Sequence, residues 1–363
     1  MIKPVQLIAI LLVLLISPAA FGQNKNKQDA ENLVKRALIL EEEGKFGEAI
    51  AQIEKAVKLD PSNEQYPYEL AVAYYQDKNY KQVVAILEKQ VAGKNAFGKM
   101  YQVLGNAYDG LGDKERSLKA YQDGIKRFPK TGELYLELGN VYLKAKRYND
   151  ALVIYESGIE ADPMFPSNYY WCSKLFLKSA EKAWGMMYGE IFMLLEFRSE
   201  RTAEIGKLLY NTYQKEITFE ADTVKGIRFA SNLMGEAVPG RDSGLILNYG
   251  KFVYEQAMYV ALKGEKAIDT GSLARIKKKF IDYYFSSDKW QKYPNALFDF
   301  EYRVVKAGYM DCYTQWLFSD VDHESFLKWQ AANRDSYLKF MKWFLRNPIK
   351  LDDKYKFYRL QYR

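Results

Sequence analysis

Residues 101–129 read YQVLGNAYDGLGDKERSLKAYQDGIKRFP, and 34 positions further on residues 135–163 read YLELGNVYLKAKRYNDALVIYESGIEADP. Laid over one another without a gap, they pair Tyr101 with Tyr135, Leu104-Gly105 with Leu138-Gly139, Tyr108 with Tyr142, Tyr121 with Tyr155 and Pro129 with Pro163. The same step runs upstream. Leu70 and Tyr74 precede Leu104 and Tyr108 by 34 residues, and Pro61 precedes Pro129 by 68. Self-similarity at this period marks a two-helix unit that cannot bury its apolar face alone and must stack on its neighbours. The expected product is a curved, all-α array with a groove, a surface that binds other molecules rather than transforming them.

Four units follow from the register, at 30–63, 64–97, 98–131 and 132–165. Each matched position has a packing reason. Small residues at Ala49, Ser117 and Ala151 let the two helices of a unit approach, and a larger side chain there would overpack the contact. Gly44 and Gly112 suit a left-handed turn between helices, a place that Lys78 and Lys146 take at some strain. Proline closes the second helix because it cannot continue one. The unit at 64–97 lacks that proline, and Val91-Ala92-Gly93-Lys94 stands in for the closing segment.

This pattern of an aromatic, Leu-Gly, Tyr, a small residue, an aromatic and a closing Pro resembles the tetratricopeptide repeat family. The resemblance covers 30–165, less than half of the chain. It implies a helix-turn-helix solenoid whose first helices line the groove, with their second, fifth, ninth and twelfth positions facing inward. On this sequence those positions give Tyr68, Val72 and Tyr75; then Lys99, Gln102, Asn106 and Asp109; then Leu136, Asn140 and Leu143. Such a lining of amides, aromatics and aliphatics suits an extended or helical peptide. The family's carboxylate clamp for chaperone tails is not reproduced: Asn106 matches one member, but Gln102 replaces a Lys, Glu137 an Asn, and Ser167 and Trp171 the cations.

Around the repeats, residues 1–22 read as a signal peptide. Lys3 precedes an apolar run from Val5 to Ile16, which ends in small residues with cleavage expected between Gly22 and Gln23. Export to the periplasm or beyond follows. Residues 23–29 read as a short unstructured leader. Residues 166–196 read as a degenerate repeat leading into a C-terminal α-helical domain at 197–363, with Gly185 and Gly189 standing where the family has ordinary helix formers. In that domain apolar periodicity predicts helices over 200–216, 246–263, 271–286, 294–317 and 324–346. A turn cluster at 235–244 separates two helical groups.

The net charge of +7 is unevenly placed: 23–165 holds 21 Lys+Arg against 22 Asp+Glu, whereas 166–363 holds 31 against 24. Lys350, Lys354, Lys356, Arg359 and Arg363 interleave with Tyr355, Phe357, Tyr358 and Tyr362. That tail is either a contact for an anionic surface or a terminal segment whose aromatics fold onto the domain. Export makes nucleic acid the poorest partner.

Chemistry is sparse. His323, the single histidine, lies between Asp322 and Glu324 with no second ligand at metal spacing, and reads as a polar residue at a helix start. Ser243 lacks the glycine two residues before it that a nucleophile elbow needs. Cys172 and Cys312 read as separate buried thiols, with one disulfide as the alternative. Glu41-Glu42-Glu43 falls on a solvated helix end. No catalytic residue, cofactor or metal site is assigned. The function that fits is a non-catalytic adaptor of the bacterial envelope binding a protein or peptide through Tyr68, Tyr75, Gln102, Asn106, Asp109, Leu136 and Asn140. The alternative is a glycan-binding protein or hydrolase whose site uses Trp184, Trp290, Trp316 and nearby carboxylates.

Overall fold

A computed structural model describes residues 18–221, 223–232, 235–236, 246–352 and 355–362. The signal-peptide reading falls almost wholly outside these, as does Ser243. The chain divides into two compact units, Met1–Ala120 and Tyr121–Arg363. The division falls inside a helix of the third repeat.

The first unit comprises α1 (Pro18–Glu42), α2 (Phe46–Leu59), α3 (Gln65–Gln76), α4 (Tyr80–Ala92), α5 (Gly98–Gly110) and the start of α6 (Lys114–Arg127). Residues 23–29, expected to be unstructured, continue α1. Their Gln, Lys, Asn and Asp carry no breaker after Gly22, and the helix propagates back from the packed part of the first repeat. The second unit continues through α7 (Gly132–Lys144), α8 (Tyr148–Ala161), α9 (Pro166–Leu177), α10 (Lys182–Leu195) and α11 (Glu200–Glu216).

Second helices start at Phe46, Tyr80, Lys114, Tyr148 and Lys182, so the 34-residue step holds through a fifth pair, α9–α10. The turns behave as their residues predict. Gly44 and Gly112 have φ of 74° and 81°, and Lys78 and Lys146 are forced to 59°. Gly185, which by sequence breaks the pattern, lies 34 residues after Ala151 at the small-residue position. A Cβ there would sit 2.7 Å from the Leu177 backbone nitrogen, and one on Gly189 would sit 2.6 Å from Ser173 Oγ. Both glycines are thus demanded by the close approach of α10 to α9.

Ala151 is wholly buried, whereas Ala51 on α2 is exposed. Ala151→Trp is therefore expected to cost about 1–3 kcal/mol or more by overpacking, and Ala51→Trp to stay within about 0.5 kcal/mol. Thermal melts of the two variants check the register, and equal losses would refute it.

Beyond α11 come two short antiparallel pairs, β1 (Ile217–Glu220) with β2 (Thr223–Ile227) and β3 (Gly235–Glu236) with β4 (Ile246–Leu247). A π-helical stretch, Gly250–Glu255, runs into α12 (Gln256–Ala261). Then follow α13 (Thr270–Ser286), α14 (Lys289–Lys292), α15 (Ala296–Lys306), α16 (Met310–Leu317), α17 (His323–Ala332) and α18 (Arg334–Arg346). The stretch 294–317, expected as one helix, breaks at Gly308, whose φ is 75°. The stretch 324–346 breaks at Asn333, which leaves the helical region at ψ 25°. Across 246–263 the start is a strand and a π-helix instead of regular α-helix.

One hydrophobic core runs from Ala151 through α9–α18 to Phe357. The C-terminal segment closes it. Phe357 is wholly buried and stacks on Trp184 at 5.7 Å, and Tyr362 stacks on Tyr249 at 4.6 Å. Arg359 is buried and bonds Glu156 of α8 through Nη2 at 2.9 Å and Nε at 3.2 Å.

That ion pair completes a ladder written in the repeat. The Tyr74 hydroxyl donates to Glu54 at 2.8 Å, and the Tyr108 hydroxyl to Glu88 at 2.5 Å, each tying a first helix to the preceding second helix. Burial first, and then these carboxylates, push both hydroxyls up to about 12. The next step falls on Gln122 and the one after on Glu156, where Phe176 stands in place of the partner tyrosine. The Tyr188 hydroxyl, at 2.8 Å, and Arg359 satisfy Glu156 instead, with the guanidinium 5.1 Å above the Phe176 ring.

Candidate functional site

Helical spacing places Tyr68, Val72 and Tyr75 on one face of α3, and Lys99, Gln102, Asn106 and Asp109 on one face of α5. The two helices pack on each other. All of these side chains except exposed Lys99 are half-buried. The Tyr68 ring meets Phe97 edge-on at 4.8 Å, and the Tyr75 ring leans on Tyr80 at 5.6 Å. Both tyrosines are thus held from below with one side still accessible, an arrangement that limits the entropy lost when a ligand packs on them.

In the second unit, Leu136 packs against the core and Asn140 lies on the same face of α7. Asn140 accepts from the Tyr155 hydroxyl at 2.8 Å and donates to Glu137 at 3.2 Å. Much of its hydrogen-bonding capacity is therefore spent inside the array, and its substitution would disturb Tyr155, which stacks on Trp171.

The residues considered for chemistry are dispersed. His323 is exposed at the first turn of α17, where the neighbouring Asp322 caps the helix by accepting from the Ser325 amide. Cys172 and Cys312 are separate, buried and free. Burial pushes both thiols up, Cys312 to about 11. Glu42 and Glu43 are exposed at the end of α1. Trp184 and Trp316 are buried within aromatic packing, and Trp290 alone of the three is exposed, leaning on Phe285. Among the described residues no cluster of His, Cys, Asp and Glu is arranged to hold a metal ion, and no helix is long and apolar enough to cross a membrane.

One polar cluster leaves almost no mark on the sequence. Lys277 of α13, 6% exposed, lies 2.8 Å from Glu190 of α10 and 2.5 Å from Glu301 of α15, and the Tyr313 hydroxyl of α16 donates to Glu190 at 2.7 Å. Burial alone would lower the Lys277 ammonium, but the two carboxylates outweigh it and hold it above the ordinary lysine range. Burial and the Glu190 charge push the Glu301 carboxyl well above its usual range, against the pull of Lys277. The adjoining cavity, lined also by Tyr213, Tyr254 and three methionines, is about 20 Å³, room for one water. It cannot admit a substrate, so this cluster ties four helices together. In the sequence the signal is Glu190 inside an otherwise apolar helix; Lys277, in a run of three lysines, gives none.

Two stretches match family models of the tetratricopeptide repeat, residues 30–63 and residues 103–164. These stretches are tetratricopeptide repeats, and repeats of this family bind peptide or protein partners. Similar solved structures include PilF of Pseudomonas aeruginosa, 18% identical with a TM-score of 0.42, covering 53% of this chain and 86% of that one. A thermophilic repeat protein of Thermus thermophilus is also 18% identical with a TM-score of 0.42, covering 50% and 98%. YrrB, described as having an unusual peptide-binding site, is 18% identical with a TM-score of 0.33, covering 50% and 93%. No curated protein matches this chain.

Proposed function

We propose that this protein is a non-catalytic adaptor of the bacterial envelope that takes an extended or helical segment of a partner protein on the face formed by α3 and α5. The observation that carries the reading is the pair of anchored, half-buried tyrosines, Tyr68 and Tyr75, beside the amides Gln102 and Asn106 and the carboxylate Asp109. Aromatic anchors give contact area at low entropic cost, and the amides match the backbone groups of a peptide. Leu136 and Asn140 are the corresponding positions of the fourth unit. Export rests on the sequence of residues 1–22. The glycan or hydrolase reading is weakened by the burial of Trp184 and Trp316.

Mature protein recovered from the host envelope should begin near Gln23 by mass spectrometry and carry its partner with it. Replacing Tyr75, Gln102 and Asn106 together by Ala is expected to weaken capture roughly a hundredfold, the size of two or three interface anchors, while helicity is kept. Undiminished capture by that variant would move the binding surface elsewhere.

A further inference from the structure

Of the cations in the C-terminal tail, Arg359 is buried in its pair with Glu156, and Lys354 and Arg363 lie outside the described residues. A group of unpaired cations lies on α18. Its inner face, Tyr337, Phe340 and Phe344, is buried and fixes the helix to the core. The spacing of 338, 341 and 345 puts Leu338, Met341 and Leu345 along one flank of the helix, about a quarter turn from that inner face, while Asp335, Lys339, Lys342 and Arg346 share the outward face. Leu345 is 70% exposed and Leu338 49%, with Met341 half-buried between them.

Arg334 lies in line with this stripe and Lys342, Arg346 and Lys339 lie on its outward side; all four are exposed, and among the described residues none of them has an ion-pair partner. The helix carries one carboxylate, Asp335, in its first turn; α17, which packs beside it, adds exposed Glu324 and Lys328. An ordinary solvated helix alternates its charges in pairs four residues apart. Here two exposed leucines border an outward face on which three cations outnumber one carboxylate, over a helix of 13 residues.

We propose that α18 is a membrane-surface contact: it lies flat on a bilayer rich in anionic lipid, with Leu338 and Leu345 entering the headgroup boundary and the four cations pairing with phosphates. The charge complementarity selects an anionic surface. The stripe is narrow and convex and its cations sit on long flexible stems, so a fluid surface accommodates it where a shaped protein groove is not required.

The test uses the full chain and sedimentation with vesicles of phosphatidylglycerol and phosphatidylcholine in equal parts, against vesicles of phosphatidylcholine alone. Binding is expected only to the anionic vesicles and is expected to fall steeply with salt. Lys339→Gln, Lys342→Gln and Arg346→Gln combined should weaken it roughly a hundredfold, at about one headgroup interaction per cation. Leu338→Ser with Leu345→Ser should weaken it roughly tenfold or more. These positions lie outside the core, so circular dichroism melts should match the unaltered protein. Absence of binding to anionic vesicles, equal binding to both vesicle types, or unchanged binding by folded variants overturns the proposal. So does capture of an acidic protein by α18 without vesicle binding.

Discussion

Lys277→Met is expected to lower the stability of the second unit by roughly 3–5 kcal/mol, because it leaves Glu190 and Glu301 buried without their cation. Against the marginal stability of globular domains, about 5–15 kcal/mol, that is enough to melt much of the unit near physiological temperature. The loss should depend on pH in a definite sense. A carboxyl whose folded pKa is raised takes its proton more readily when folded, so its contribution is full below the ordinary carboxylate range and is lost as pH rises through the folded value. The Glu301 carboxyl is in this position, and more so once Lys277 is gone. Denaturant unfolding should therefore show the variant recovering stability on acidification from neutral pH. Replacing all three residues by apolar ones of similar size should restore most of the stability, since a buried ion triad is held by the mutual need of its members. A variant that melts like the unaltered protein at neutral pH would mean that these groups are not buried together.

Removing residues 355–363, or the single change Arg359→Ala, is expected to cost a similar amount, roughly 3–5 kcal/mol. Glu156 is wholly buried, and without the guanidinium its carboxylate keeps only the Tyr188 hydroxyl. Truncation also uncovers Trp184 and Tyr249, which pack on Phe357 and Tyr362. Amide exchange should speed up first in α8 and α10, the helices that the tail joins, while α3 and α5 are unaffected. If truncation left exchange in α8 unchanged, the tail would be a solvated appendage.

Much of the repeat fold is legible in the sequence because its cause is local and recurrent. The period fixes which residues are small at 49, 117 and 151, which turn residues go left-handed, and which tyrosines bond the previous helix. Gly185 belongs to the same series without showing it, because α10 departs from the family elsewhere and a glycine in a helix reads first as a breaker. The C-terminal helices are legible by periodicity to within their breaks at Gly308 and Asn333. The Glu190–Lys277–Glu301 triad and the Glu156–Arg359 pair are not, since contacts between residues 87 and 203 positions apart leave no periodic trace. Candidate groove positions are legible only through the family's helix geometry.

The most direct measurement places a photo-crosslinking phenylalanine analogue at Tyr75 and at Asn106, and, as controls, at exposed Lys81 and Lys89 on α4. After irradiation of living host cells, the two positions on the α3–α5 face should yield the same crosslinked partner protein, identified by mass spectrometry, with little product from the controls. Crosslinks of equal yield from all four positions, or none from Tyr75 and Asn106, would contradict the assignment of this face as the binding surface.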